Sequence, residues 1–297
     1  MIVCDDYAHG ASVAQVRDVT RGDRVESERP HLDDGRLTTM AGRLEGKVCV
    51  ITGAGGGMGR EGAIVFTGEG AKVCVADVNL ELAEETVSLC PEGAAFAVQA
   101  NVASEAEVKV MYAVTAERFG GIDVLYNNAG ISPADDDSIL VTEEDAWDRV
   151  QDVNTKGVYF CCKHGIPYLL ERGGGSVINV ASFVAILGAA TSQISYSASK
   201  GAVLSMSREL AVQFARQGIR VNSLCPGPVE TPLLLRIFGG DPAALERRRI
   251  HWPMGRLAKP REVVNGALFL ASDESSYVNG TSFLVDGGLT AAYVTPE

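Results

Sequence analysis

Seven short apolar runs, near residues 47–51, 72–76, 95–99, 122–125, 175–180, 219–224 and 281–285, recur along the chain with helix-forming stretches between them. Apolar runs of this length without polar alternation suit strands buried on both faces, as happens when helices cover a parallel sheet above and below. The expected fold is therefore α/β, a single Rossmann-type doubly wound parallel sheet of seven strands with helices on both faces. A chain of 297 residues can bury both faces of such a sheet, and no linker or internal repeat divides it.

The first run, Lys47-Val48-Cys49-Val50-Ile51, passes directly into Thr52-Gly53-Ala54-Gly55-Gly56-Gly57-Met58-Gly59 and then into helix-forming sequence. Glycines accept positive φ and let a backbone approach a pyrophosphate, while a helix N-terminus offers unpaired N–H groups and partial positive charge. Gly53, Gly57, Met58 and Gly59 are the expected phosphate contacts. The second run ends in Asp77, eighteen residues past Gly59. A carboxylate near that spacing accepts both hydroxyls of an adenosine ribose and repels a 2′-phosphate, which favours NAD over NADP. Val78 and Asn79 add no cation, and Arg60 reads as a solvated residue of the first helical turn rather than a phosphate ligand.

Tyr196 and Lys200 stand four residues apart in Ser195-Tyr196-Ser197-Ala198-Ser199-Lys200, so a helix would set phenol and ammonium on one face. A fixed cation beside the phenol is expected to lower its pKa from about 10 and make it a usable base. Ser182, fourteen residues before Tyr196, follows the apolar run Ser176-Val177-Ile178-Asn179-Val180 and is placed to hydrogen-bond a substrate oxygen.

In these motifs the chain resembles the short-chain dehydrogenase/reductase family from about Leu44 to about Leu289. Besides the glycine turn and the Ser182, Tyr196 and Lys200 set, the match takes in Asn127-Asn128-Ala129-Gly130, Val153-Asn154 and Pro226-Gly227-Pro228-Val229-Glu230-Thr231. The resemblance implies a strand order of 3-2-1-4-5-6-7 and an NAD-dependent exchange of a secondary alcohol and a ketone, with Tyr196 as general acid/base. It assigns Asn154 the support of a water in the proton relay. Asn128, Ala129 and Gly130 fall on a nucleotide-contacting segment, and Pro226, Gly227, Val229 and Thr231 on the one that holds the nicotinamide carboxamide. Lys200 would also bind the nicotinamide ribose, beside Tyr196. Asn101-Val102 stands where many relatives carry Asp-Val against adenine, and an amide can still read the base.

The family resemblance also implies a substrate lid at about 230–255 and a homotetramer, built through helices around 142–170 and 196–217 and through the last strand. The lid leucines either cover the site or pack permanently on the core. Apolar Phe183, Ile186 and Leu187 tilt the substrate toward an apolar or cyclic alcohol. Two alternatives stay open: a reductase of 3-oxoacyl thioesters, against which Asp77 counts, and a non-catalytic NAD-binding redox sensor, which would have no need of a proton relay.

Residues 1–40 show mixed charge and no sustained period, and are expected to be a disordered extension, dispensable for folding and NAD binding, ahead of a domain at 41–297. They contain no apolar stretch of signal-peptide or membrane-span length, so a cytoplasmic setting is expected. A formal charge of −12 gives no general attraction to nucleic acid or an anionic membrane. The seven cysteines lack C-x-x-C spacing, and neither a disulfide nor a metal site is expected. Asp135-Asp136-Asp137 reads as a solvated loop rather than a cation site.

Overall fold

A computed structural model describes residues 42–237 and 242–291, so the expected extension at 1–40 lies outside the described residues. The strands are β1 (Val48–Thr52), β2 (Lys72–Asp77), β3 (Ala95–Gln99), β4 (Val124–Asn127), β5 (Gly175–Val180), β6 (Ile219–Pro226) and β7 (Ser282–Val285). They form one sheet in the order β3-β2-β1-β4-β5-β6-β7, with every neighbouring pair parallel, as expected.

Side-chain alternation sorts the core into two layers. Val48, Val50, Cys74, Leu125, Val177 and Val221 face α3 (Glu105–Phe119), α5 (Gly157–Glu171) and α6 (Ile194–Phe214). Cys49, Ile51, Val73, Val75, Val124, Tyr126 and Ile178 face α1 (Gly57–Gly68), α2 (Leu80–Ser88) and α9 (Pro260–Ala271). All five residues of β1 are buried, which is why that strand shows no polar alternation.

Three boundaries differ from the sequence reading for physical reasons. The fourth strand starts two residues late because Asp123 turns its carboxylate onto the Val48 N–H (2.8 Å) and onto Arg172. It also runs on through polar Asn127, whose Nδ2 donates to Asn179 Oδ1 on the neighbouring strand at 2.8 Å while its own Oδ1 is buried without a partner. The helix expected over 142–170 is α4 (Glu144–Gln151) and α5, joined by a π-helical turn at Asp152–Lys156 that contains Asn154. Such turns insert a residue into the helical ladder and re-aim the side chains around it.

The segment expected to form a lid contains α7 (Pro232–Ile237) and α8 (Pro242–Arg249). Among the described residues no helix is long and apolar enough to cross a membrane.

Candidate active site

The order in which strands are added across the sheet reverses between β1 and β4, opening a crevice at the carboxyl ends of the strands. The two strand ends are laced together there. Thr52 Oγ1 accepts the N–H groups of Asn128 and Ala129 (both 3.1 Å), while Asn128 Nδ2 donates to the carbonyls of Thr52 (2.9 Å) and Gly53 (3.2 Å). Gly53 adopts φ +62°, and a methyl group there would sit 2.8 Å from Ala129 Cα. Glycine is needed on both counts.

Helix α1 starts at Gly57 behind Gly56, which offers no side-chain cap, and its first turn holds no acidic residue. Its leading N–H groups therefore point unanswered into the crevice. Gly59 packs on the Gly53 carbonyl, Met58 leans back on the core, and Thr231 lies over Gly57. Asn128 Oδ1 is buried without a hydrogen-bond partner. An uncapped helix N-terminus fits the phosphate end of a dinucleotide, whereas the orphaned Asn128 acceptor calls for a donor such as a hydroxyl.

Asp77, expected to meet a ribose, ends β2. Its two carboxylate oxygens accept from the Gly55 and Asn79 N–H groups, each at 2.9 Å, and keep lone pairs free. Val78 beside it is 62% exposed. Arg60 corrects its sequence reading: the guanidinium donates to the Gly55 carbonyl (2.6 Å), Thr86 Oγ1 (3.1 Å) and Glu85 (3.0 Å), so it braces α1 against α2 instead of standing in solvent. The Asn101 side-chain oxygen accepts the Ala103 N–H (3.0 Å), which leaves its NH₂ as the outward group, and the Val102 side chain is buried against Gly157.

Downstream, Glu230 N–H donates to the Ala258 carbonyl (2.8 Å) and Ala258 N–H to that of Pro228 (2.9 Å). In such a parallel bridge the N–H and C=O of Val229 point the other way, free to grip an amide. Pro226 is buried, and Gly227 N–H donates to Val285 O (3.0 Å) with the Asp286 backbone so near that a side chain would clash.

The structure brings the four expected catalytic side chains together. Ser182 lies two residues past β5, at the head of a short turn, with Oγ accepting the Val184 N–H at 3.3 Å. Tyr196 lies in the first turn of α6, with its phenol close to the Ser182 side chain. Lys200, one turn on, is buried; its Nζ donates to the Val180 carbonyl at 2.8 Å and lies 5.5 Å from the Tyr196 ring centre. A methyl group on Gly130 would sit 3.3 Å from both Lys200 Nζ and Asn154 Oδ1, so the segment after β4 passes directly across them.

One expectation changes at this point. Burial raises the Tyr196 phenol above its ordinary value, and the Ser182 hydrogen bond only partly opposes that. Burial also pulls Lys200 down to about 8. The lysine thus spends its proton on a backbone carbonyl, and desolvation outweighs the expected acidification of the phenol. The Asn154 side chain is likewise engaged, with Oδ1 accepting the Ile131 N–H (2.8 Å) and Nδ2 donating to the Ile131 carbonyl (2.9 Å) and Ser199 Oγ (3.1 Å). Its amide clamps the loop after Gly130, a contact that the sequence did not announce.

Asp136 is also not the solvated loop residue of the sequence reading. It is 4% exposed and hydrogen-bonded to the start of α6, a role that no local signal announced because its partners lie about sixty residues away in sequence. No cluster of His, Cys, Asp or Glu among the described residues could hold a metal ion.

The wall beside Ser182 carries Ile186 and Leu187, both partly exposed. Arg248 on α8 hydrogen-bonds Thr191 in the loop that leads to Tyr196, which ties α8 to that loop.

A family model described as enoyl-(acyl carrier protein) reductase matches residues 53–290. The chain is 41% identical to a 3-oxoacyl-acyl-carrier-protein reductase of Thermotoga maritima over 83% of its own length and 99% of the relative's. It is 40% identical to meso-2,3-butanediol dehydrogenase of Serratia marcescens, covering 86% and 99% of the two chains. Among solved structures, a protein from Burkholderia xenovorans described as a short-chain dehydrogenase/reductase superposes with a TM-score of 0.81 at 33% identity, over 85% of this chain and 100% of that one.

The buried ammonium sets a pH dependence of stability. Lys200 titrates near 8 in the folded protein against 10.5 ordinarily, so between those values the folded chain binds fewer protons than the unfolded one. Its contribution to stability therefore becomes more favourable as pH rises through that window and is least favourable below about 8. Urea unfolding of wild type and Lys200→Met at pH 7 and pH 10 should show the wild type gaining on the variant at the higher pH, by up to about 3 kcal/mol. A difference that does not change with pH would contradict the buried ammonium.

Proposed function

This chain belongs to the short-chain dehydrogenase/reductase family, and we propose that it is an NAD(H)-dependent oxidoreductase that interconverts a secondary alcohol and a ketone. The observation that carries the reading is the contact of the Tyr196 phenol with Ser182 at the carboxyl end of β5, beside an uncapped glycine turn. A proton donor and an oxygen-binding hydroxyl thus meet where a nicotinamide would lie.

The bound coenzyme supplies the hydride acceptor or donor, and its phosphates, ribose and carboxamide fall to the α1 turn, Asp77, and the Val229–Thr231 segment respectively. In the reductive direction the neutral phenol of Tyr196 donates its proton to the carbonyl oxygen while the Ser182 hydroxyl hydrogen-bonds the same atom. In the oxidative direction Tyr196 must first lose that proton, so a phenol raised by burial makes alcohol oxidation favour alkaline pH. Lys200, protonated below about 8, stabilises negative charge as it develops on the phenol.

NAD is supported by the Asp77 carboxylate and by Arg60, whose guanidinium is already committed to Gly55, Thr86 and Glu85. Replacing Asp77 with Ala should weaken NADH binding by about 10- to 100-fold in fluorescence titrations and bring NADH and NADPH toward parity. Equal wild-type affinity for the two coenzymes would refute the assignment.

The exposed apolar side chains of Ile186 and Leu187 support an apolar or small cyclic alcohol. A second reading, reduction of a 3-oxoacyl thioester, has the Thermotoga maritima relative in its favour and Asp77 against it. Meso-2,3-butanediol with NAD and acetoacetyl-CoA with NADPH separate the two, and faster turnover of the thioester would reverse the ranking. With the better substrate, Tyr196→Phe should lower kcat by about 10²- to 10⁴-fold with NADH affinity nearly intact. Wild-type turnover in that variant would exclude Tyr196 as the acid/base.

The setting is cytoplasmic on this reading, consistent with six unpaired cysteines among the described residues, five of them buried. The assembly is a homotetramer, supported by apolar side chains left exposed on α5 (Tyr159) and on β7 (Leu284). Sedimentation of the purified protein should give about four times the chain mass, and a monomer would contradict this part of the reading.

A further inference from the structure

Helix α6 carries both Tyr196 and Lys200, yet its own N-cap residue, Gln193, supplies no side-chain cap. Its leading N–H groups are met instead by a distant loop. Ile194 N–H donates to the Asp137 carbonyl (3.1 Å), Ser195 N–H to Asp136 Oδ1 (2.9 Å) and Tyr196 N–H to Asp136 Oδ2 (2.8 Å). Only with Ser197, which donates to the Gln193 carbonyl at 2.9 Å, does the helix begin to satisfy itself.

The loop is itself held. Asp135 pairs with Arg149 on α4, and Asp137 N–H donates to Thr142 Oγ1 at 2.9 Å. On the helix side, Gln151 Nε2 donates to the Ser195 carbonyl (2.9 Å) and Oγ (3.0 Å), and Ser195 Oγ donates to the Trp147 carbonyl (3.0 Å). Residues 128–137 therefore connect three things in ten positions: the Asn128 lacing at the glycine turn, the Asn154 clamp on Ile131, and the carboxylate at the head of α6.

We propose that Asp136 is a positioning residue of the proton relay, whose buried carboxylate seats the first turn of α6 so that the Tyr196 phenol meets Ser182. This rests on the reading of Tyr196 as the acid/base. A Ser or Asp at position 193 could cap the same N–H groups locally, but it would leave the helix untied to the loop beneath the nicotinamide. Both carboxylate oxygens are used, one per amide, and the second amide is that of Tyr196 itself. Proton transfer requires placement of the donor to within a fraction of an ångström, and this carboxylate sets the backbone from which the phenol projects.

The test compares wild type with Asp136→Asn, which keeps one acceptor, and Asp136→Ala, which keeps none. NADH-binding sites are counted by fluorescence titration, so that loss of folded protein is divided out. Turnover per site is then measured on whichever of meso-2,3-butanediol and acetoacetyl-CoA the wild type uses. Turnover per site should fall in the order Asp, Asn, Ala, by about 10- to 100-fold overall, with NADH affinity and substrate KM within about twofold. In the coenzyme-free protein, hydrogen exchange at residues 194–197 should quicken by about tenfold in Asp136→Ala. If Asp136→Ala yields no NADH-binding protein, the Asn variant decides alone. Wild-type turnover per site in the variants, or loss confined to the number of sites, would overturn the proposal. Tyr196→Phe run alongside separates the two readings: if it stays active the acid/base assignment has failed, whereas if it is inactive while the Asp136 variants are normal, only the role of Asp136 has.

Discussion

The lacing of β1 to β4 by Thr52 and Asn128 is the contact around which the rest of the molecule is arranged. These are the neighbouring strands at which the chain order reverses, so helices leave them toward opposite faces and a crevice must open between their ends. Without side chains to bridge the strand ends, backbone groups of Thr52, Gly53, Asn128 and Ala129 would lie unpaired in a largely buried place. Tying them together brings the glycine turn against Ala129 and carries the following segment across Lys200 and Asn154, where a side chain at position 130 would crowd both.

Beyond that junction a polar seam runs through an otherwise apolar layer. Asn127 donates to Asn179, Asn179 to Ser207, Asn154 to Ser199, and Ser199 to the Tyr196 carbonyl. Each of these side chains is largely buried, so displacing one would leave buried donors or acceptors unmet beyond the one Asn127 oxygen already without a partner. The seam joins β4, β5, the π-helical turn and α6, which are the elements that carry the catalytic groups.

Burial also decides the electrostatics. Sequence spacing alone suggests an ammonium acidifying a phenol, but both groups are withdrawn from water, and each is driven toward its neutral form. The lysine finds a backbone carbonyl and the tyrosine finds Ser182. The free protein therefore holds a protonated phenol suited to donating, and the base form belongs to alkaline solution or to a site that has gained further positive charge.

The amino-acid sequence by itself determined the parallel sheet, the strand–glycine turn–helix unit, the carboxylate at the end of β2 and the i, i+4 pairing of Tyr196 with Lys200, because each is written in local periodicity or spacing of a few residues. Even there, Asn127 reads as a strand end until its partner Asn179 is known. Tertiary structure alone decided that Arg60 is a brace, that Asn154 clamps Ile131, that the phenol's pKa goes up rather than down, and that Asp136 caps a helix about sixty residues away. Hydrogen-bond partners and desolvation depend on what the fold packs against a side chain, and neighbours brought from distant parts of the chain leave no mark on the sequence around it.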